Sequence, residues 1–314
     1  MLRFLAKTPR LGIEITSSAV RLAAVSGRGA NLFVLYARTA DLPPGLVIEN
    51  YASPNIRDGE NLASVLRECL ADAPAGMRRC ALSLPDGVFR VQTLEFDELP
   101  AKAADRERLI RWRLEKTAAF DIVDAVLRSE VLGRRERGFT VLACLAKRAV
   151  IEQYENVLAG LGLEPWIVGL SSFHILNLYA PVITKNSPAF ALAHLTEDSF
   201  TTIVRETEGA RFYRYKEVKR GSVDEIKVRL MREIEDSLHF YTHMDRTQTS
   251  EVKDLYLTGE PAVPYEFAEK LGAATSLNVK VLSPIDACAP SGGADPAPAW
   301  PASMDAALGA GSAL

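Results

Sequence analysis

One order of elements is written twice into this chain of 314 residues. Three strand-like runs, Leu11 to Ile15, Val20 to Val25 and Leu32 to Thr39, are joined by Thr16-Ser17-Ser18 and by Ser26-Gly27-Arg28-Gly29, which reads as a set of short-turned antiparallel strands. A helix is predicted from Gly59 to Leu70, because Leu62, Val65, Leu66 and Leu70 recur on one face. A buried strand follows from Cys80 to Leu84 and stops at Pro85-Asp86-Gly87. The same succession returns as strands Phe190 to Leu195, Phe200 to Glu206 and Ala210 to Val218. After them come a long helix striped by Ile226, Leu230, Ile234, Leu238 and Tyr241, and a buried strand from Val252 to Leu257. Tyr265 to Leu271 reads as a helix and Leu277 to Leu282 as a last strand. Two βββαβ units in one chain predict a duplicated α/β fold whose halves face across a cleft.

The duplication does not account for residues 85–163. Phe89 to Phe96 is a predicted strand, Asp105 to Thr117 a helix, Ala125 to Leu132 and Phe139 to Leu145 two further strands, and Ala146 to Ala159 a helix. This βαββα pattern is long enough for a small inserted α+β subdomain. The expected division is therefore an N-terminal extension at 1–9, a first subdomain from 10–84 with 164–186, the insertion at 85–163, and a second half at 187–284. Residues 285–314, rich in Ala, Pro, Gly and Ser and containing Ser291-Gly292-Gly293-Ala294-Asp295-Pro296, are expected to be a disordered tail.

Composition excludes several functions. An apolar share of 48% with 25% charged residues suits a globular protein with a full core. Every long apolar run is cut by a charge or a proline before the about 18 residues that a spanning helix needs. Lys7, Pro9 and Arg10 break any signal-peptide core, so a cytoplasmic chain is expected. A net charge of −3 argues against nucleic acid. The basic cluster Arg106 to Lys116 is interleaved with Asp105, Glu107 and Glu115, as on a solvated helix face. Cys69, Cys80, Cys144 and Cys288 have no Cys-x-x-Cys spacing and indicate neither zinc nor a disulfide framework. His239 and His243 stand four apart on the long helix, yet no Glu or third ligand completes a metal site. His174 and His194 sit singly in apolar company, and no Gly-x-Ser-x-Gly suggests a hydrolytic triad.

Several segments carry a family resemblance by their order and spacing. They are the hairpin Gly12 to Leu22 with basic Arg21, Leu42-Pro43-Pro44-Gly45 with Val47, and Ala81-Leu82-Ser83-Leu84-Pro85. Arg111-Trp112-Arg113-Leu114-Glu115-Lys116 running to Ala119-Phe120 and Asp124 is the most specific. Glu233-Ile234, Ser237-Leu238, Phe240-Tyr241 and Leu255-Tyr256-Leu257-Thr258-Gly259 complete the set. From about residue 8 to 284 the chain resembles the type IV pilus assembly protein PilM family, which is actin-like and related to FtsA. The resemblance implies a duplicated ribonuclease-H-like (actin-like ATPase) fold with a small subdomain inserted in the first half. It implies a cytoplasmic scaffold that holds the N-terminal peptide of a PilN-like inner-membrane partner, in a groove between the first large subdomain and the inserted one. Contact with the pilus assembly ATPase machinery would follow, and contact with the membrane would be indirect.

The same resemblance assigns a nucleotide site to Glu14, Thr16, Ser17, Ser18 and Gly259, and the residues there depart from the actin-like pattern. Glu14 and Thr16 replace the Asp and Gly of Asp-x-Gly, which organise metal and admit phosphate. No Asp-x-Gly stands near Ala193 to Asp198, although Thr201 and Thr202 match the later part of that pattern. The adenosine loop reads Thr258-Gly259-Glu260-Pro261, where Glu260 would set a carboxylate near phosphate and Pro261 lacks a donor. A side chain one methylene too long misplaces its carboxylate, an error that costs catalysis heavily. The implication is a degenerate site with ATP and Mg²⁺ disfavoured, no resident cofactor, no metal and no catalytic residue. The alternative is an ATP-binding switch or weak ATPase of the same assembly, or, more remotely, a sugar-kinase-like enzyme using Asp198.

Arg111, Trp112, Glu115 and Lys116 are the partner-binding candidates. Helical spacing makes Arg111 and Glu115, and Trp112 and Lys116, i,i+4 neighbours. Trp112 is either core or a docking anchor of the kind Trp and Arg supply at interfaces.

Overall fold

The computed structural model describes residues 10–29, 31–135, 138–196, 199–207, 209–218, 223–244, 251–259, 265–290 and 302–314. In chain order the first elements are β1 (Arg10–Ile15), β2 (Ala19–Arg28), β3 (Asn31–Asp41), α1 (Gly59–Leu70) and β4 (Arg79–Leu84). Next come β5 (Arg90–Phe96), α2 (Ala103–Glu115), β6 (Ala125–Arg135) and β7 (Gly138–Lys147). They are followed by α3 (Arg148–Gly160), β8 (Glu164–Leu170) and α4 (Ser171–Ile183). The second repeat comprises β9 (Phe190–Leu195), β10 (Ser199–Glu206), β11 (Gly209–Glu217), α5 (Val223–Met244), β12 (Asp254–Gly259), α6 (Tyr265–Thr275) and β13 (Asn278–Val281). The chain closes with β14 (Cys288–Pro290) and α7 (Asp305–Ala313).

Two sheets carry the duplication. The first runs β14-β3-β2-β1-β4-β8 and the second β11-β10-β9-β12-β13. Counting the strands of each repeat in sequence, both read third, second, first, fourth, fifth, with β1 and β9 each antiparallel to one neighbour and parallel to the other. The parallel member β8, for which the sequence analysis places no element, completes the first repeat. Its central strand β2 is buried along seven successive residues, Ala19 to Val25, as a strand covered on both faces must be. α1 has the predicted limits: the Asp58 carboxylate accepts from the N–H groups of Glu60 and Asn61 at 3.1 and 3.0 Å, capping the helix start. Leu62, Leu66 and Cys69 form its buried face.

The chain divides into two compact units: Met1–Val88 with Ala149–Ile183 and Ser283–Leu314, and Phe89–Arg148 with Thr184–Leu282. The insertion is thus shorter than 85–163. α3 belongs to the first unit, where Gln153 Oε1 accepts from Asn55 N and Tyr154 OH accepts from Asn55 Nδ2. In the second unit the inserted strands form a sheet ordered β5-β7-β6, with Ile110 and Leu114 of α2 buried. β11 lies beside β5 and β6. The core of the second repeat gathers Phe200, Ile234, Tyr241, Leu255 and Leu271, so four of the five striped positions of α5 are buried, with Ile226 partly so.

The tail differs most from expectation. Residues 291–301, including the whole Ser291 to Pro296 run, lie outside the described residues, but 302–314 are not a disordered tail. α7 is buried from Asp305 to Gly311 and lies on β1, β2, β4 and α4. Small residues make this possible. A Cβ on Gly12 would collide with the Ala307 carbonyl, and one on Gly309 with the His174 carbonyl, so the helix backbone rests directly on its neighbours. The Tyr179 hydroxyl donates to Asp305 Oδ1 at 2.6 Å. Together with burial, that carboxylate pushes the tyrosine's pKa well up. An Ala- and Gly-rich helix buried all round has no amphipathic stripe to reveal it.

Candidate nucleotide and docking sites

The turn Thr16-Ser17-Ser18 joins two buried strands in strict register, with Ile15 opposite Val20 and Glu14 opposite Arg21. Its backbone donors are spoken for. Thr16 N–H donates to Ala19 O at 2.9 Å, and Thr16 Oγ1 accepts from Ser18 N and Ala19 N at 3.3 and 3.0 Å. Ser17 N–H donates to Glu49 Oε1 at 3.0 Å. A turn that could have presented free N–H groups to an anion therefore has them bonded within the chain.

Glu14 points inward. It is 4% exposed, as is Arg21, and Arg21 Nη1 reaches Glu14 Oε2 at 3.3 Å. Ser171 Oγ, at the start of α4, donates to Glu14 Oε1 at 3.2 Å and lies 3.1 Å from both Ser83 Oγ and Leu84 O. One turn edge away, Ser172 N donates to Asp86 Oδ1 at 3.2 Å. Both carboxylate oxygens of Glu14 thus have partners, as burial of a charge demands. Sequence reasoning missed Glu49 and Ser171 because they come from segments 32 and 157 residues away, and no local pattern joins them.

The second repeat has the matching turn between β9 and β10. Thr196 N–H donates to Ser199 O at 2.9 Å, and Thr196 Oγ1 accepts from Ser199 N at 3.0 Å, which repeats the Thr16 and Ala19 bonds. Thr201 and Thr202 are not in this turn; they lie within β10, buried. Asp198, Glu260 and Pro261 lie outside the described residues. Gly259 ends β12 opposite Leu195 with φ +147°, and a Cβ there would collide with the Leu195 carbonyl. Backbone packing alone therefore requires glycine at 259. The structure brings Glu14, Thr16, Ser17 and Ser18 together in the first unit and places Gly259 in the second.

On α2 the four docking candidates divide. Arg111 does not pair with Glu115. Its guanidinium reaches back to Glu107 at 2.9 Å and donates to the carbonyls of Ile122 and Ala125 at 3.0 and 3.3 Å, tying the helix to the segment before β6. Trp112 is not core: it is 60% exposed, with Glu115 and Lys116 exposed beyond it. Val123, on the 3₁₀ turn that Arg111 holds, is also exposed. His239 and His243 are exposed and stacked at 4.0 Å between ring centroids, and among the described residues no group of three or more His, Cys, Asp or Glu could hold a metal. His174 is buried, and desolvation lowers its pKa to about 4. Burial pushes the thiols of Cys80 and Cys288 up to about 12, which suits core residues rather than nucleophiles.

These two repeats define a class: the chain has the actin-like fold, duplicated and carrying an inserted subdomain. No family model matches the sequence. A solved structure of the PilM-PilN type IV pilus biogenesis complex is similar over 97% of this chain and 98% of that one, with a TM-score of 0.79 at 20% identity. The cytoplasmic domain of EpsL, an inner-membrane component of the type II secretion system of Vibrio cholerae, is similar over 98% and 94%, with a TM-score of 0.52 at 13% identity. A Bacteroides thetaiotaomicron protein of actin-like ATPase fold and unknown function is similar over 90% and 94%, with a TM-score of 0.53 at 10% identity. Among the described residues no helix is long and apolar enough to cross a membrane.

Proposed function

We propose that the chain is a cytoplasmic actin-like scaffold of type IV pilus or related secretion machinery, peripheral to the inner membrane through a PilN-like partner whose N-terminal peptide it binds. The observation that carries this is the likeness to the PilM-PilN complex over nearly the whole of both chains. The likeness to EpsL, whose own setting is an inner-membrane secretion system, supports the broader class. Exposed Trp112 with Glu115 and Lys116 is the proposed contact face, and Arg111 holds that face in place from beneath rather than meeting the partner. An aromatic anchor ringed by charged side chains suits a peptide whose apolar residues need a pocket and whose backbone needs donors.

The nucleotide site is degenerate in this proposal. ATP·Mg²⁺ does not fit the residues present: the first turn's N–H groups are bonded to Thr16, Ala19 and Glu49, and Glu14 is held by Arg21 and Ser171. No catalytic step is assigned. Calorimetry of the purified chain with ATP·Mg²⁺, and separately with a PilN-like N-terminal peptide, tests both parts. Peptide binding without nucleotide binding is the expected result. Tight nucleotide binding with hydrolysis would replace the scaffold with an ATP-dependent switch of the same assembly.

A further inference from the structure

The segment between β3 and α1 is a small clamp with a carboxylate at its tip. Ile48 N–H donates to Asn55 O and Arg57 N–H to Leu46 O, both at 2.9 Å, with Val47 bridged antiparallel to Ile56. These bonds close residues 46–57 into a hairpin. Its tip is shaped by Asn50, whose side-chain oxygen accepts from Ala52 N and Ser53 N at 2.8 Å each, the bonding of an Asx turn. Its returning arm is pinned to α3: Gln153 Oε1 accepts from Asn55 N at 2.8 Å and from Ile56 N at 3.3 Å, and Asn55 Nδ2 donates to Tyr154 OH at 3.1 Å. Asn55 and Tyr154 are fully buried, so the anchor is rigid. What it delivers is Glu49, half-buried, with Oε1 3.0 Å from the N–H of Ser17.

The N–H groups of Thr16, Ser18 and Ala19 are bonded within the turn, so the Ser17 N–H is the donor the turn offers to an anion, and a carboxylate on an N–H is a charge-assisted bond. We propose that Glu49 is a built-in anion: delivered by the 46–57 hairpin, its carboxylate occupies the first turn in place of a phosphate and makes the turn's geometry independent of any bound ligand. This rests on the degenerate-site proposal above and supplies its cause. The glycine and aspartate missing at Thr16 and Glu14 weaken a phosphate's hold, and Glu49 then competes for the turn intramolecularly. An exogenous phosphate must displace a tethered rival already held within hydrogen-bonding distance, at the high effective concentration of a short, rigid connection.

Glu49→Ala in the full chain tests this, with inorganic phosphate as the probe against chloride of matched ionic strength. Thermal midpoints and the Ser17 amide resonance are followed together. In the wild type, phosphate is expected to move neither beyond the chloride control. In Glu49→Ala the midpoint is expected to fall by about 2–4 °C, and the Ser17 amide to shift and lose exchange protection. Phosphate, and not chloride, should recover part of both. Glu49→Gln keeps the shape and an acceptor while removing the charge, and covers the case in which the alanine variant fails to fold. It should show the same phosphate-specific recovery to a smaller extent. Variants that fold but gain no phosphate-specific response would overturn the built-in anion while leaving the scaffold proposal standing. A wild type whose Ser17 amide moves on adding phosphate would overturn it directly. ATP·Mg²⁺ bound by the wild type would sink the degenerate site as well.

Discussion

Leu308 decides whether the C-terminal segment belongs to the core. It is fully buried in α7, between flanking buried Ala307 and Ala310, so Leu308→Ala removes packed methyl groups and leaves a cavity worth about 2–5 kcal/mol. In a unit of this size each kcal/mol moves the midpoint by about 2–4 °C, which gives a fall of roughly 4–20 °C. Gly309→Ala perturbs the same contact in the opposite sense. On a free helix alanine is better than glycine by about 1 kcal/mol, whereas here its Cβ would meet the His174 carbonyl, and overpacking of that kind costs about 1–3 kcal/mol or more. Differential scanning calorimetry of both variants beside the wild type should show a lowered midpoint for each. An unchanged midpoint for Leu308→Ala together with a neutral or stabilising Gly309→Ala would mean that residues 302–314 are not packed, and the account of the first unit would be wrong.

Arg21→Met takes the guanidinium away from the buried Glu14 carboxylate and should cost about 3–5 kcal/mol. Adding Glu14→Gln to that variant should recover part of the loss, and a urea double-mutant cycle that found simple additivity would refute the coupling. His174 should make the protein acid-sensitive. Its folded pKa of about 4 lies below the ordinary 6.5, so between those values only the unfolded chain takes up the proton. The stability this residue contributes is whole above about pH 6.5 and falls by roughly 3 kcal/mol as pH drops to 4. His174→Leu should flatten that slope in urea titrations across the window, and an equal slope in both proteins would dismiss the assignment. Trp112→Ala should weaken peptide binding by about thirtyfold, the effect of losing an interfacial anchor. Because the side chain is exposed, the urea midpoint should stay within about 0.5 kcal/mol of the wild type. Unchanged affinity would remove α2 from the contact face.

The hairpins and the duplication were legible because each rests on local chemistry. Leu11 to Ile15 and Phe190 to Leu195 are short apolar runs cut off by hydroxyl turns, and Leu62, Val65, Leu66 and Leu70 write the face of α1 in neighbouring residues. Periodicity acts over a few positions, so the sequence carries it whole. The duplicated α/β architecture followed from seeing the same succession twice, and the actin-like fold from the family resemblance of the segments that carry it.

What the chain's order could not convey was which distant atoms meet. Arg111 has Glu115 and Glu107 at equal spacing, and only the carbonyls of Ile122 and Ala125 on the neighbouring segment draw its guanidinium towards Glu107. α7 carries glycines that read as disorder in isolation, yet its burial comes from β1 and α4 approaching close enough that no side chain would fit. The sequence alone determined the repeated elements, though not β8, α4, β14 or α7, since propensity and pattern are local. Tertiary structure alone decided that Glu49 lies on Ser17, that Glu14 faces Arg21 and Ser171, and that the C-terminus is core, because those are long-range pairings whose free energy exists only once the sheet is assembled.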